Sequence, residues 1–360
     1  MKSQKNHLSR LRATHARLLC GLLAIGIIAI GAGRALGQQG LHVVPSPFIN
    51  NSALFGTAAI ADSDIWAVGD IVSGNTAQTL AEHFNGTSWN VVSTPAVQGG
   101  EFAAVDGVAS NDVWAVGQQA AGSSYTTLIE HWDGTSWSVV SSPRVGHGAF
   151  LSTVTVVASN DVWAAGSVNN LGILIEHWDG RSWSVVSSPA FTNVGFIRGI
   201  SADSSNDVWA MAGPTILHWN GQTWSQVPAP SALRADAATA LSPTNVWAVG
   251  SRSGEHPDEK EAIAHWDGTS WSFVPSVDPF AANHGSSRFN GVAAVSANNI
   301  WAVGEGAGGS FTERWNGTSW SLLTTPSGVG LLAVTALSDG TVVAVGAACS
   351  ASCSAVILQN

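Results

Sequence analysis

The chain is a succession of short apolar runs separated by clusters of Gly, Asp, Asn and Ser. One run, DIWAVG at residues 64–69, returns five times with its Trp in place. The six tryptophans are 38 to 54 residues apart, at positions 66, 114, 163, 209, 247 and 301. A seventh copy, TVVAVG at 341–346, has Val343 where the others have Trp. Self-similarity at such a period indicates a repeat architecture.

Each of the first six copies is followed by a second motif, whose clearest form is LIEHWDGTSWSVV at residues 128–140. Apolar and β-branched residues flank an Asp-Gly turn, which predicts a β-hairpin. A further short run precedes each copy, for example FAAVDGVA at 102–109. The pattern therefore predicts four short strands in each repeat, and the Gly after Trp-Ala-Val is expected to free the backbone for the following loop.

A four-stranded sheet of this size cannot bury both of its faces alone, but radially arranged sheets cover one another. We therefore predict an all-β fold, a seven-bladed β-propeller of four-stranded antiparallel blades over residues 38–360. The last repeat ends at its third strand, AVILQN at 355–360, while LHVVPSP at 41–47 matches the fourth-strand pattern WSVVSSP at 137–143. The N-terminal strand is thus expected to close the last blade and leave no open edge.

The strand order, with a Gly ending the second strand and a Trp on the outer strand, resembles kelch repeats and galactose-oxidase-like propellers over residues 41–360. Kelch repeats usually carry Gly-Gly, whereas a single Gly follows Trp-Ala-Val here. The copper site of galactose oxidase uses two Tyr and two His, with one Tyr cross-linked to Cys. A sialidase site needs an Arg triad and a Tyr nucleophile assisted by Glu. Tyr125 is the only tyrosine and no Glu stands beside it, so no cofactor, no metal and no complete catalytic set is expected.

Residues 1–37 read as a targeting segment, because five basic residues precede the apolar run 18–33 and small residues follow at 35 and 37. A helix of sixteen apolar residues is somewhat too short to span a hydrocarbon core of about 30 Å. We expect a cleaved signal peptide, with an uncleaved N-terminal membrane anchor as the alternative. Either way the remainder is expected to be extracytoplasmic, secreted or at the cell surface, and to meet a membrane only if the segment is uncleaved.

Without residues 1–37 the chain keeps eight basic and 24 acidic residues, a formal net charge of −16. Nucleic-acid binding is excluded as a function, because it needs clustered Lys and Arg against the phosphates. We expect a monomer. Cys349 and Cys353 in CSASC predict a small loop disulfide in an oxidising compartment.

All 17 Trp fall at repeated positions, which favours packing between blades over sugar stacking. The repeated His residues lie too far apart to share a metal ion, and structural hydrogen bonds between blades are expected of them. They are His83, His131, His177, His218 and His265.

Departures from the repeat are the remaining candidates for function. In this topology the connections between blades and the loops from second to third strands open on one face, which we call the loop face. Candidate ligand-binding residues in or beside those loops are Arg144, His147, Arg198, Arg234, Arg252, His256, His284 and Arg288, with Lys260 nearby. Such cations predict an anion- or sugar-binding funnel, although loops also tolerate charge and variation without a function.

These features favour a non-enzymatic, extracytoplasmic binding or scaffold propeller that engages a glycan or a protein ligand through the loop face. The alternative is a carbohydrate-active hydrolase or lyase in which Arg198, Arg234 and Arg288 hold a carboxylate and His147 or His284 does acid–base work. A third hypothesis is a purely structural surface protein.

Overall fold

The computed structural model describes residues 40–146, 148–168, 172–189, 196–253, 259–280, 285–349 and 352–360. They form 28 strands in seven antiparallel four-stranded sheets. The predicted seven-bladed all-β propeller is therefore confirmed. The targeting segment 1–37 lies outside the described residues, as do His147, His256 and His284. Within the described part, no helix is long and apolar enough to cross a membrane.

The N-terminal strand is β1 (His42–Val43), which belongs to blade 7. Within each blade the strands that follow run in chain order from the innermost to the outermost. Blade 1 is β2 (Ser52–Ala61), β3 (Asp64–Ser73), β4 (Thr76–Phe84) and β5 (Trp89–Val92). Blade 2 is β6 (Glu101–Ala109), β7 (Asp112–Ala121), β8 (Ser124–Trp132) and β9 (Trp137–Val139). Blade 3 is β10 (Ala149–Ala158), β11 (Asp161–Val168), β12 (Gly172–Trp178) and β13 (Trp183–Val185).

Blade 4 is β14 (Gly199–Ser204), β15 (Asp207–Ala212), β16 (Thr215–Trp219) and β17 (Trp224–Val227). Blade 5 is β18 (Leu233–Ser242), β19 (Asn245–Arg252), β20 (Lys260–Trp266) and β21 (Trp271–Val274). Blade 6 is β22 (Ser287–Ser296), β23 (Asn299–Gly306), β24 (Gly309–Trp315) and β25 (Trp320–Leu323). Blade 7 is β26 (Val329–Ala336), β27 (Val342–Cys349) and β28 (Cys353–Gln359), with β1 as its outer strand.

The N-terminal strand closes the propeller as predicted. His42 pairs with Gln359 and Val43 pairs with Leu358. Leu41, at 4% exposure, packs into the cluster between blades 6 and 7. On the hairpin between β27 and β28, the predicted disulfide joins Cys349 and Cys353.

The second-strand tryptophans hold neighbouring blades together. Trp114 is 2% exposed, and its ring centroid lies 5.1 Å from that of Trp178 and 5.5 Å from that of Trp183 in the next blade. Trp66, Trp163, Trp209 and Trp247 contact the equivalent pairs of tryptophans in the same way. Aromatic pairs in these geometries add to the area that they bury, so the predicted role in blade packing is confirmed.

The repeated histidines bond within their own blade, so the expected bonds between blades were the wrong assignment. The His131 ring lies over Trp114, with the centroids 4.3 Å apart and the planes tilted by 35°, and its Nε2 lies 2.8 Å from Asp112 Oδ1. The same oxygen accepts a bond from Trp114 Nε1 at 3.0 Å. The imidazole thus fixes the carboxylate and the indole on which the next blade packs.

Two glycines are required by different local geometry. Gly134 has a φ of 93° in the Asp-Gly turn, where Asp133 Oδ1 accepts bonds from the hydroxyl and the amide of Thr135 and from the amide of Ser136. These bonds lower the pKa of Asp133 to about 2. At Gly117 a Cβ would lie 1.9 Å from the carbonyl oxygen of Glu101, beside a register shift between Phe102 and Ala104. The Gly after Trp-Ala-Val therefore serves a close approach of two strands, and not the freedom of a loop.

Truncating Trp114 to Ala should lower the free energy of unfolding by about 3–5 kcal/mol, because it leaves a cavity between two blades. Urea unfolding measures the change. Val139→Ala is the control: that side chain is 48% exposed, and its loss should change stability by less than about 0.5 kcal/mol. Equal effects of the two substitutions would contradict the role given to the tryptophan.

Candidate functional site

The inner strands of the seven blades surround a central channel of about 430 Å³. Small side chains line most of it. The charged residues among the lining are Asp106, Arg198, Asp236 and Arg288. The last three lie at one end of the channel, while Asp106 lies further along β6.

Strand direction explains why these charges meet. Consecutive strands of a blade are antiparallel, so every inner strand begins at the loop face. Arg198 immediately precedes β14, Arg234 and Asp236 lie at the start of β18, and Arg288 lies at the start of β22. Blades 4, 5 and 6 therefore bring Arg198, Arg234, Asp236 and Arg288 to one end of the channel, which we call the channel mouth.

Asp236 is the partly buried centre of the channel mouth. Arg198 Nε lies 3.2 Å from Asp236 Oδ1. Burial raises the pKa of Asp236, and Glu259 adds to this effect, while the charges of Arg198, Arg288 and Arg234 oppose it. Desolvation disfavours the charged form of this carboxylate, while the surrounding arginines favour it.

Arg198 is held firmly and still presents donors to solvent. Its guanidinium carbon lies 4.4 Å from the ring centroid of Phe196, and its side chain is 41% exposed. In the described part of the chain its two terminal nitrogens make no hydrogen bond. A guanidinium oriented in this way offers a fork that matches a carboxylate.

The other two arginines of the channel mouth are already paired. Arg288 Nη2 and Nε lie 2.7 Å and 3.2 Å from Glu305 Oε1, and the Glu305 side chain is 10% exposed. Arg234 Nε lies 3.7 Å from Glu259 Oε1, and both side chains are about half exposed. Of these three arginines, Arg288 and Arg234 carry their own counter-ions, and Arg198 has open donors within the described part of the chain.

The remaining candidates lie elsewhere. Arg144 is exposed in the connection between β9 and β10 and does not line the channel. The Arg252 guanidinium carbon lies 5.5 Å from the Phe273 ring centroid. Together with Lys260 it lines a separate groove of about 390 Å³ on blade 5, where Lys260 Nζ lies 3.0 Å from Asp278 Oδ2.

The prediction from sequence missed the acidic partners at the channel mouth. Asp236, Glu259 and Glu305 are sequence neighbours of cations or lie on a facing strand, yet only the cations were singled out. It also missed Asp106, whose Oδ2 accepts a bond from the Val156 amide of the next blade at 2.8 Å and whose pKa burial raises to about 6.

Among the described residues no group of three or more His, Cys, Asp or Glu side chains could hold a metal ion.

The two paired arginines should differ in their effect on stability. Arg288→Ala leaves Glu305 buried without its partner and should cost about 1–3 kcal/mol. Arg234→Ala removes an exposed, loose ion pair and should cost less than about 1 kcal/mol. Urea unfolding at neutral pH compares them directly, and a larger loss for Arg234→Ala would contradict the assignment of burial at this site.

No protein-family model and no curated protein matches the chain. Among solved structures, YCF48 bound to a D1 peptide aligns with a TM-score of 0.62 and 16% identity, over 90% of this chain and 98% of that one. The WD40 β-propeller domain of Doa1 gives 0.60 and 13%, over 90% and 97%. Streptogramin B lyase gives 0.59 and 15%, over 88% and 98%. Sequence identities this low indicate a shared fold and do not indicate a shared function. The chain is therefore similar in fold to β-propellers that have different functions.

Proposed function

We propose that this protein is a non-enzymatic binding propeller that takes an acidic segment of a protein partner at the channel mouth. The observation that carries the proposal is Arg198, which is oriented by Asp236 and Phe196 while its terminal nitrogens have no hydrogen-bond partner among the described residues. A carboxylate of the partner would accept from those nitrogens. A hydrogen bond to a charged group is worth about 1.5–3 kcal/mol.

The scaffold favours such a site because it is rigid before the ligand arrives. Arg198 stands next to an inner strand that is packed on both sides by other blades, so little conformational entropy is lost on binding. Six of the eight basic residues after position 37 lie in or beside loops of the loop face.

A protein partner is favoured over a glycan by a solved neighbour that was bound to a peptide. YCF48 was solved with a D1 peptide, and the Doa1 neighbour is a WD40 propeller. A carboxylate-bearing glycan offers Arg198 the same chemistry and is a distinct outcome of the test below. The hydrolase or lyase alternative also has a solved neighbour, streptogramin B lyase, but it depends on His147 and His284, which lie outside the described residues.

The proposal places the protein outside the cytoplasm, as a secreted or cell-surface propeller with kelch-like repeats. The Cys349–Cys353 disulfide supports this location, because such bonds persist in oxidising compartments. The repeat pattern supports the kelch-like assignment.

Two substitutions at the channel mouth should act in opposite directions. Arg198→Ala should weaken binding of acidic peptides at least about tenfold, since it removes a charge-assisted bond. Asp236→Asn should strengthen it severalfold, because the internal competitor for Arg198 loses its charge. The probes are a random-peptide array, in which each acidic peptide is paired with its Asn/Gln counterpart, and an array of acidic and neutral glycans.

Arg181→Ala is the matched control, because Arg181 is exposed in the turn between β12 and β13 on the opposite face. It should leave binding unchanged. Binding of glycans without binding of peptides would identify the ligand as a sugar and not a protein. Equal binding of acidic peptides and their amide counterparts, or no binding to either array, would overturn the proposal.

A further inference from the structure

Four third strands carry a glutamate at the same place in the repeat. In register these residues stand beside second-strand alanines, for example Glu130 beside Ala115. Each of the four side chains has 0% exposure. They are Glu82 on β4, Glu130 on β8, Glu176 on β12 and Glu313 on β24. At the same place blade 4 has Leu217 and blade 7 has Leu358, also fully buried.

The carboxyl groups of these residues lack the partners that a buried charge needs. In the described part of the chain, neither carboxyl oxygen of Glu82, Glu130 or Glu176 has a hydrogen-bond partner, and Oε1 of Glu313 has none. Oε2 of Glu313 accepts a bond from the Val277 amide at 3.2 Å. A buried, unpaired carboxylate loses its hydration without compensation, so the neutral acid is the form that such a site tolerates.

The four groups lie at the interfaces between blades. Residues two apart on a strand share a face, so Glu130 faces the same way as Leu128 and Trp132. Those two side chains pack in the cluster that contains Trp66 of the preceding blade. Glu313 likewise reaches Val277, which belongs to the connection that leaves blade 5.

We propose that these four glutamates are proton-binding sites that couple the packing between blades to pH. They hold a proton while the blades are closed and release it when the interface opens to water. The proposal does not depend on the ligand site at the channel mouth.

The surroundings of the four groups support neutral acids. Burial is the cause that raises the pKa of Glu82 to about 7 and the pKa values of Glu130 and Glu176 to about 8. For Glu313, burial and the charge of Glu261 together raise the pKa to about 8, against the Val277 amide. Glu261 in turn lies near Asp278 and Lys260 and accepts a bond from the Ser287 hydroxyl.

The sign of the pH dependence follows from these directions. The ordinary pKa of Glu is 4.5, so between that value and about 8 the folded state binds more protons than the unfolded state. Stability is then fully present below pH 4.5 and falls as the pH rises towards 8. Asp106, Asp236 and Glu261 act in the same direction. His265 acts in the opposite one, because burial lowers its pKa.

The test is urea unfolding of the purified protein between pH 5 and pH 9. Each glutamate should contribute up to a tenfold rise of the unfolding equilibrium constant per pH unit between about pH 5 and pH 7. Glu130→Leu introduces the residue that blades 4 and 7 have at this place. This substitution and Glu130→Gln should each lower the rise of the unfolding equilibrium constant by up to about tenfold per pH unit. Asp203→Asn, at an exposed position, should leave the slope unchanged.

A second measurement does not require any variant to fold. A carbon-13 NMR titration of glutamate side chains in the native protein should show carboxyl transitions well above pH 6. Transitions near 4.5 for all glutamates would overturn the proposal. So would a pH slope that is the same in wild type, Glu130→Leu and Glu130→Gln.

Discussion

The contact between a second-strand Trp and two tryptophans of the next blade is the interaction on which this fold depends. A single blade has two apolar faces and only four short strands, so it has no stable existence alone. Trp114 is held by His131 and Asp112 of its own blade and packs against Trp178 and Trp183 of the next. Blades 1 to 5 each present an indole to two tryptophans of the next blade in this way, and the ring closes when every face is covered.

Where the tryptophans are missing, other apolar residues close the ring. Trp301 of blade 6 packs with Leu41 and Leu358, since the outer strand of blade 7 comes from the N-terminal end and carries no Trp. Val343 replaces the seventh second-strand Trp and lies in a cluster with Leu80 and Trp89 of blade 1. Burial is thus maintained at the closure without the aromatic geometry of the other interfaces.

The same radial packing determines where charge is tolerated. Inner strands start together at the loop face, so charged residues at their N-terminal ends meet across blades even though they are far apart in sequence. At the channel mouth this produces Asp236 among three arginines, of which Arg198 has open donors as far as the described residues show. Between the blades it produces the opposite situation, carboxyl groups such as that of Glu130 in apolar surroundings. The charged cluster at the channel mouth and the buried carboxyl groups between blades both follow from the packing of sheets face to face around a central axis.

The sequence by itself determined the architecture, because spacing and alternation are local properties. The repeat predicted seven blades, the ends of the chain predicted closure by residues 41–47, and CSASC predicted the disulfide between Cys349 and Cys353. It also predicted that Arg198, Arg234 and Arg288 share a face, since strand direction alternates within a blade.

Only the tertiary structure decided how those residues are paired and how deeply they lie. Glu305 neutralises Arg288 from the facing strand, Asp236 orients Arg198 from another blade, and His131 bonds within its blade and not across it. Glu130, which stands directly before the repeated His131 in the sequence, is fully buried. Partners and burial depend on contacts between blades, and a linear pattern specifies which strands exist but not the distances between their side chains.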